Sequence, residues 1–265
     1  GGAFIWAAGS GEKVGELSGH TAAVESLAVA PVGNRLVTLH AGGNATIWDI
    51  ETGSREMSLQ GDSAGITAIG LSRDGSRVAT GSADAAITVR ETETGMVVGS
   101  FAGHTLSITA LSFSPDGKWL ASGGLDSMVF IHEVESGRRI GPLTGHRFWI
   151  RTVAFSPDGK WLATGSTDKS VVVWDAASGR RLINFRAHRY PVTSVAFTPD
   201  GKWLVTGGCD RRTLIWDIAT GGRIMECELH EGDVTSVAIS SDGEYLLTAS
   251  ADGTAILCEM RSGAV

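Results

Sequence analysis

With 265 residues, 42% of them apolar and 19% charged, the chain has the composition of an ordinary globular protein able to bury a substantial core. Its 22 Lys and Arg against 29 Asp and Glu give a net charge of −7, which argues against general nucleic-acid binding, because that depends on neutralising several phosphates at once. No apolar run reaches the roughly 18 residues of a membrane span and no charged-then-apolar leader opens the chain, so neither membrane insertion nor export is expected.

Taken in chain order, Phe4-Ile5-Trp6 reads as a short strand, and Ile5-Trp6 matches Ile47-Trp48 one period later. Residues 1–17 therefore read as a partial repeat. A series of marks follows at His20, Asp62, His104, His146, His188 and His230, each 42 residues after the last. Trp48-Asp49, Trp174-Asp175 and Trp216-Asp217 fall 28 residues after a mark, and Arg90-Glu91, His132-Glu133 and Cys258-Glu259 occupy the intervening slots. A period of about 40 to 45 residues with these signatures means propeller blades.

The copy from 146 to 187 shows the predicted elements most clearly. Ile150-Arg151-Thr152-Val153-Ala154-Phe155 alternates apolar and polar residues, the pattern of a half-buried strand a. Ser156-Pro157-Asp158-Gly159 supplies a turn, and Trp161–Gly165 makes strand b. After a tight turn at Asp168-Lys169, Ser170–Asp175 forms a β-branched strand c, and Arg181–Phe185 forms the outer strand d. No segment has helical periodicity, so the fold is all-β, built of four-stranded antiparallel blades that must stack to bury their faces.

These repeats resemble the WD-repeat β-propeller family over essentially the whole chain, residues 1–265, as a single domain. Near-identical stretches such as SPDGKWLA at 114–121 and 156–163 are similar to bacterial members. The resemblance implies radial blades, with the d–a and b–c loops on a top face and the a–b and c–d turns on the bottom. Strand c occurs seven times if Phe4-Ile5-Trp6 counts, and seven is the family's commonest form, so a seven-bladed ring with one incomplete blade is preferred over a six-bladed one. Seven periods need 294 residues, 29 more than are present, which reads as a piece of a larger protein or as an open blade that another chain's strands complete.

His146, Ser166 and Asp168 could serve nucleophilic catalysis. The resemblance implies instead that they join Trp174 in a structural hydrogen-bonded tetrad, in which the indole donates and the carboxylate accepts. On this reading the tetrad is complete only here; the His188 copy has Gly208 at the hydroxyl position, and the Asp62 copy, lacking histidine and tryptophan, is the least stable. Gly61-Asp62-Ser63-Ala64-Gly65 matches G-x-S-x-G, but a strand and not a helix follows it. The repeated Asp-Gly pairs lack calcium-ligand spacing and read as turns. Trp119, Trp161 and Trp203 sit one per blade, too dispersed for base stacking, and read as packing. Cys209, Cys227 and Cys258 show no zinc spacing; with no cofactor expected, their odd number points to a reducing compartment, with a cytoplasmic location, or to inert buried thiols.

Charge is uneven. Residues 104–223 hold 15 Lys and Arg against 10 Asp and Glu, and the remainder holds 7 against 19, which points to oriented docking on a partner. The top-face positions implied by the resemblance are mostly small, as at Ala23, Ala41, Gly65, Ala83, Ser107, Pro191 and Ala251. One sector differs: Leu125, Trp149, Arg151, Lys169 and Arg211, flanked by Arg147, Phe148, Arg189 and Tyr190. Large aromatics and arginines on loops make binding hot spots. The chain is thus expected to be a non-enzymatic scaffold that binds an acidic or phosphorylated protein segment. A propeller enzyme with a central-channel site is the alternative. A second basic set, Lys118, Arg138, Arg139, Lys160, Arg180, Arg181 and Lys202, belongs to bottom turns and ranks below the first.

Overall fold

A computed structural model describes residues 2–7, 9–20, 22–61 and 64–260. Asp62 and Ser63 lie outside them. The chain begins with a two-stranded hairpin, β1 (Ala3–Trp6) and β2 (Lys13–Leu17). Blade 1 comprises β3 (Val24–Val29), β4 (Arg35–His40), β5 (Asn44–Asp49) and β6 (Arg55–Leu59). Blade 2 comprises β7 (Ile66–Leu71), β8 (Arg77–Ser82), β9 (Ile87–Glu91) and β10 (Val97–Phe101). Blade 3 follows as β11 (Ile108–Phe113), β12 (Trp119–Gly124), β13 (Val129–Glu133) and β14 (Arg139–Leu143). Blade 4 is β15 (Ile150–Phe155), β16 (Trp161–Ser166), β17 (Val171–Asp175) and β18 (Arg181–Phe185). Blade 5 is β19 (Val192–Phe197), β20 (Trp203–Gly208), β21 (Thr213–Asp217) and β22 (Arg223–Cys227). Blade 6 has three strands, β23 (Val234–Ile239), β24 (Tyr245–Ser250) and β25 (Ala255–Glu259).

All pairings are antiparallel between chain neighbours, and the innermost strands of successive blades, β3, β7, β11, β15, β19 and β23, lie against one another. This is a β-propeller, without helix among the described residues. The preference for seven blades finds no support. Six sheets carry both an a- and a b-strand, which is the count of the six-bladed alternative. Strand c does recur a seventh time as β1, but counting it never identified residues able to form the inner pair beside it. The β1–β2 hairpin packs on blade 1, where Leu17 joins Leu36 and Trp48.

The core lies between blades. Val153 and Ile150 of β15 join Ala121, Val129 and Ile131 of blade 3, with Leu162 and Trp174 of blade 4. Each fully buried aliphatic side chain contributes about 1.5–3 kcal/mol. Close approach requires glycine at some points: a Cβ on Gly165 would lie 2.6 Å from Val192 Cγ1 of the next blade. Trp119, Trp161 and Trp203 are partly buried against such inter-blade clusters. At the bottom, Asp158 accepts from Ser156 Oγ at 2.7 Å and from the Lys160 amide at 3.1 Å, while Gly159 takes a φ of 72°.

Strict alternation along strand a breaks at one place in every blade. The register shifts between Ile150 and Thr152 in β15, and at the equivalent step in the five other a-strands. A β-bulge re-aims the intervening side chain. In blades 2, 3, 5 and 6 that residue is threonine, and in the first three its hydroxyl stitches two blades together, while Thr235 of blade 6 donates to the Ala249 carbonyl of its own blade at 3.2 Å. Thr67 donates to the Ile108 carbonyl at 2.7 Å, and Thr109 and Thr193 donate to those of Ile150 and Val234 at 2.5 Å. Blade 4 has Arg151 there, exposed and without the stitch.

Candidate interaction surface

The tetrad of blade 4 is real, but its hydroxyl belongs to Thr164. Trp174 Nε1 donates to Thr164 Oγ1 at 2.9 Å, His146 Nε2 lies 2.8 Å from the same oxygen, and His146 Nδ1 lies 3.0 Å from Asp168 Oδ2. Thr164 and Ser166 are two residues apart and so share a face of β16. The pairing of Leu162 with Trp174 brings Thr164, not Ser166, under the indole. Blade 5 therefore also holds a complete set: Trp216 donates to Thr206 at 3.1 Å, and His188 bridges Thr206 at 2.9 Å and Asp210 at 2.8 Å. Blades 3 and 6 keep His104–Ser122–Asp126 and His230–Thr248–Asp252, with His132 and Cys258 at the tryptophan position. In blade 1, Trp48 donates to Thr38 and His40 stands between Thr38 and His20.

Ser166 has another duty. Its hydroxyl donates to the Phe148 carbonyl at 2.9 Å and accepts from the Asp168 amide at 3.0 Å. Asp168 accepts the Arg147 amide at 2.9 Å, and the Thr167 amide donates to the Trp149 carbonyl at 3.0 Å. Burial alone would raise the Asp168 carboxyl, but hydrogen bonds from His146, Ser170 and the Arg147 amide together hold it well below the usual range. The backbone of residues 147–149 is thus fixed from beneath while Phe148 and Trp149 remain exposed.

Tyr190 is exposed one period after Phe148, and Lys169 Nζ lies 5.7 Å from its ring centroid. Leu106, one period before Phe148, is exposed as well. The 42-residue step from Phe148 would have identified Leu106, which the loop positions considered from sequence passed over. Arg147, Arg151, Arg189 and Arg211 are exposed, whereas Leu125 and Lys169 are half-buried. Lys169 and Arg211 take left-handed φ values of 74° and 68°, at turn positions filled by Gly43 and Gly253 in blades 1 and 6. An L side chain there carries strain that glycine avoids.

Among the described residues none of Arg147, Arg151, Lys169, Arg189 and Arg211 forms an ion pair. Arg212, by contrast, is neutralised by Glu226 at 2.6 Å and Glu228 at 2.5 Å. Beside it a groove of about 510 Å³ runs between Arg189, Tyr190 and Arg211 on one wall and Glu231 and Asp233 on the other. Cys209 lines this groove, and burial with the neighbouring Asp233 pushes its thiol up to about 11. Several bottom-face cations are engaged internally: Arg138 with Glu133, Arg139 over the Phe130 ring, Lys160 with Asp158 and Lys202 with Asp200. Among the described residues no three His, Cys, Asp or Glu side chains converge as a metal site, and no helix is long and apolar enough to cross a membrane.

The model of the WD domain, G-beta repeat matches residues 11–49, 53–89, 95–133, 137–175, 179–217 and 221–258. The chain belongs to the WD40 family. This WD40 chain is similar to one in a solved structure described as "Crystal Structure of Mitotic Checkpoint Complex", with 27% identity and a TM-score of 0.86. The similarity covers 97% of this chain and 80% of that one. No curated protein matches. WD40 propellers are typically protein-interaction scaffolds and generally not enzymes.

Proposed function

We propose that this WD40 propeller is a docking domain whose top face, over blades 3 to 5, binds an acidic or phosphorylated segment of a partner protein. One observation carries the reading: Phe148 and Trp149 are exposed on a backbone fixed by Asp168, Ser166 and Thr167, amid cations that lack carboxylate partners. Preorganised aromatics lose little entropy on binding, and unpaired arginines are the groups that hold carboxylates or phosphates bidentately. The missing stitch at Arg151 points the same way, since it gives up an inter-blade hydrogen bond for an exposed cation; the left-handed φ of Lys169 and Arg211 recurs at Ala85 and Ser127 and carries no such weight. The likeness to a chain in a multi-protein complex agrees with a docking role. A cytoplasmic site of action belongs to the same proposal and rests on three unpaired cysteines; finding the protein exported would remove it.

The test is fluorescence anisotropy with an arrayed set of acidic, serine-phosphorylated and neutral peptides, each carrying one aromatic residue. Acidic or phosphorylated members bind selectively, and Trp149→Ala/Arg151→Ala reduces binding by roughly a hundredfold, the size of a double hot-spot loss. Equal binding of neutral peptides, or an unaffected double variant, overturns the reading.

A further inference from the structure

The loop after the tetrad histidine is held in the same way in blades 4, 5 and 6, yet its chemistry reverses in the last of them. Arg147, Arg189 and Glu231 donate their amides to the carboxylates of Asp168, Asp210 and Asp252 at 2.9, 2.8 and 2.9 Å. Two residues further on, the carbonyls of Trp149, Pro191 and Asp233 accept the amides of Thr167, Cys209 and Ala251 at 3.0, 2.9 and 2.9 Å. On this shared backbone blade 4 presents Arg147-Phe148-Trp149 and blade 5 presents Arg189-Tyr190-Pro191, whereas blade 6 presents Glu231-Gly232-Asp233. A cation beside an aromatic thus gives way to two exposed carboxylates with glycine between them.

Glycine leaves room beside the two carboxylates. Leu106, Phe148 and Tyr190 stand exposed at the position of Gly232, where a Cβ would lie 2.7 Å from the Asp252 amide nitrogen. The groove of about 510 Å³ between Tyr190 and the acidic wall occupies this side of the loop. Two other carboxylates that line it are engaged within the fold, Glu228 by Arg212 at 2.5 Å and Asp210 by His188 at 2.8 Å. Among the described residues Glu231 and Asp233 form no ion pair, although Arg189 and Arg211 line the same groove. Cys209 adds no charge to them, because burial, with Asp233 beside it, keeps its thiol protonated at neutral pH. The acidic wall therefore carries two negative charges that the fold leaves unneutralised.

We propose that this groove is a subsite for one basic side chain, lysine or arginine, carried by the partner segment next to its acidic or phosphorylated residues. The segment lays its negative charge over Arg147, Arg151 and Arg189 and sets its positive charge against Glu231 and Asp233, with the Tyr190 ring beside the cation. The inference rests on the docking reading of the top face only in assigning both charges to one segment. It adds a selectivity which that reading lacks, because a wholly acidic segment meets like charge at blade 6 and is disfavoured.

Labelled peptides with an aromatic residue and phosphoserines, made in pairs that differ only in a lysine replaced by norleucine and in both chain orders, test the subsite by anisotropy. In one order the lysine peptide binds about tenfold more tightly than its norleucine counterpart, the worth of one charge-assisted contact. Glu231→Gln/Asp233→Asn, at exposed positions, abolishes this preference while the norleucine peptide binds at least as well as before, a crossover that a merely structural role would not produce. Equal binding of each pair by the native protein, a preference that survives the double variant, or no binding by any peptide at about 1 mM overturns the proposal. Selective binding of phosphorylated peptides that ignores the lysine removes the subsite and leaves the docking reading standing. A lysine preference lost in Glu231→Gln/Asp233→Asn, in peptides whose binding is indifferent to Trp149→Ala/Arg151→Ala, does the reverse.

Discussion

The Ser166 hydroxyl donates to the Phe148 carbonyl at 2.9 Å, so an exposed aromatic of the top face is anchored by a strand residue completely withdrawn from solvent. Thr164, two residues earlier on the same strand, holds the Trp174 indole instead. One strand thus serves the blade's rigidity and the loop's posture through separate side chains.

Substitution separates these duties. Ser166→Ala is expected to cost about 1 kcal/mol, the net worth of a neutral hydrogen bond, and to raise amide exchange at 148–149. Thr164→Val leaves the Trp174 N–H and a His146 nitrogen buried without their partner, a loss of about 2 kcal/mol or more. Urea unfolding with exchange mass spectrometry reads both.

Arg151→Thr should exchange recognition for stability. The new hydroxyl can donate to the Val192 carbonyl, as Thr109 does to that of Ile150. The expected gain is up to about 1 kcal/mol, together with weaker binding of acidic peptides. A loss of stability would show that the blade 4–5 junction cannot take the stitch.

His132 is 2% exposed, stacks on Phe101 with centroids 4.8 Å apart, and finds no hydrogen-bond partner among the described residues. Burial, with Arg139 and His104 nearby, pushes its pKa down to about 4. The unfolded chain takes up this proton near pH 6.5 and the native one near 4, so stability should fall as pH drops through that window. The steepest slope is about 1.4 kcal/mol per pH unit for one proton. His132→Trp restores a donor toward Ser122, so it should raise the melting temperature and flatten that slope.

Asp168, Asp210 and Asp252 have carboxyls held below their ordinary range. The stability they contribute is complete above about pH 4 and is lost as acid protonates them in the native state. Asp168→Asn should therefore lower stability at pH 7 and reduce the further loss on acidification, as followed by circular dichroism.

Blade 2 lacks the tryptophan and histidine of the tetrad: among the described residues its Thr80 donates to the Thr88 carbonyl at 3.4 Å, and Arg90 occupies the indole position. Its amides should exchange faster than those of blade 4, and equal protection would falsify this ranking.

Much of this architecture was legible in the spacing. The 42-residue step located every a-, b- and c-strand, because each blade repeats the same turn chemistry and the same inter-blade contacts. What spacing could not decide was which of two same-face hydroxyls meets an indole; cross-strand register decides that, and Thr164 and Thr206 were missed for this reason. Bulges were equally hidden, since Arg151 reads as an ordinary polar position in an alternating strand. The blade count failed because one recurrent c-strand says nothing about its absent inner neighbours. The pinned loop under Phe148 was half legible: the aromatic could be named, but the hydrogen bonds that immobilise it became visible only with the backbone in place.

The threonine stitches carry a last consequence. Bulge threonines sew blade 2 to 3, blade 3 to 4 and blade 5 to 6, and the thread is missing between blades 4 and 5, beside Trp149, where Arg151 takes the place of threonine. A partner lying across Trp149 and Tyr190 would clasp the junction from outside, so occupancy and mechanical integrity would rise together.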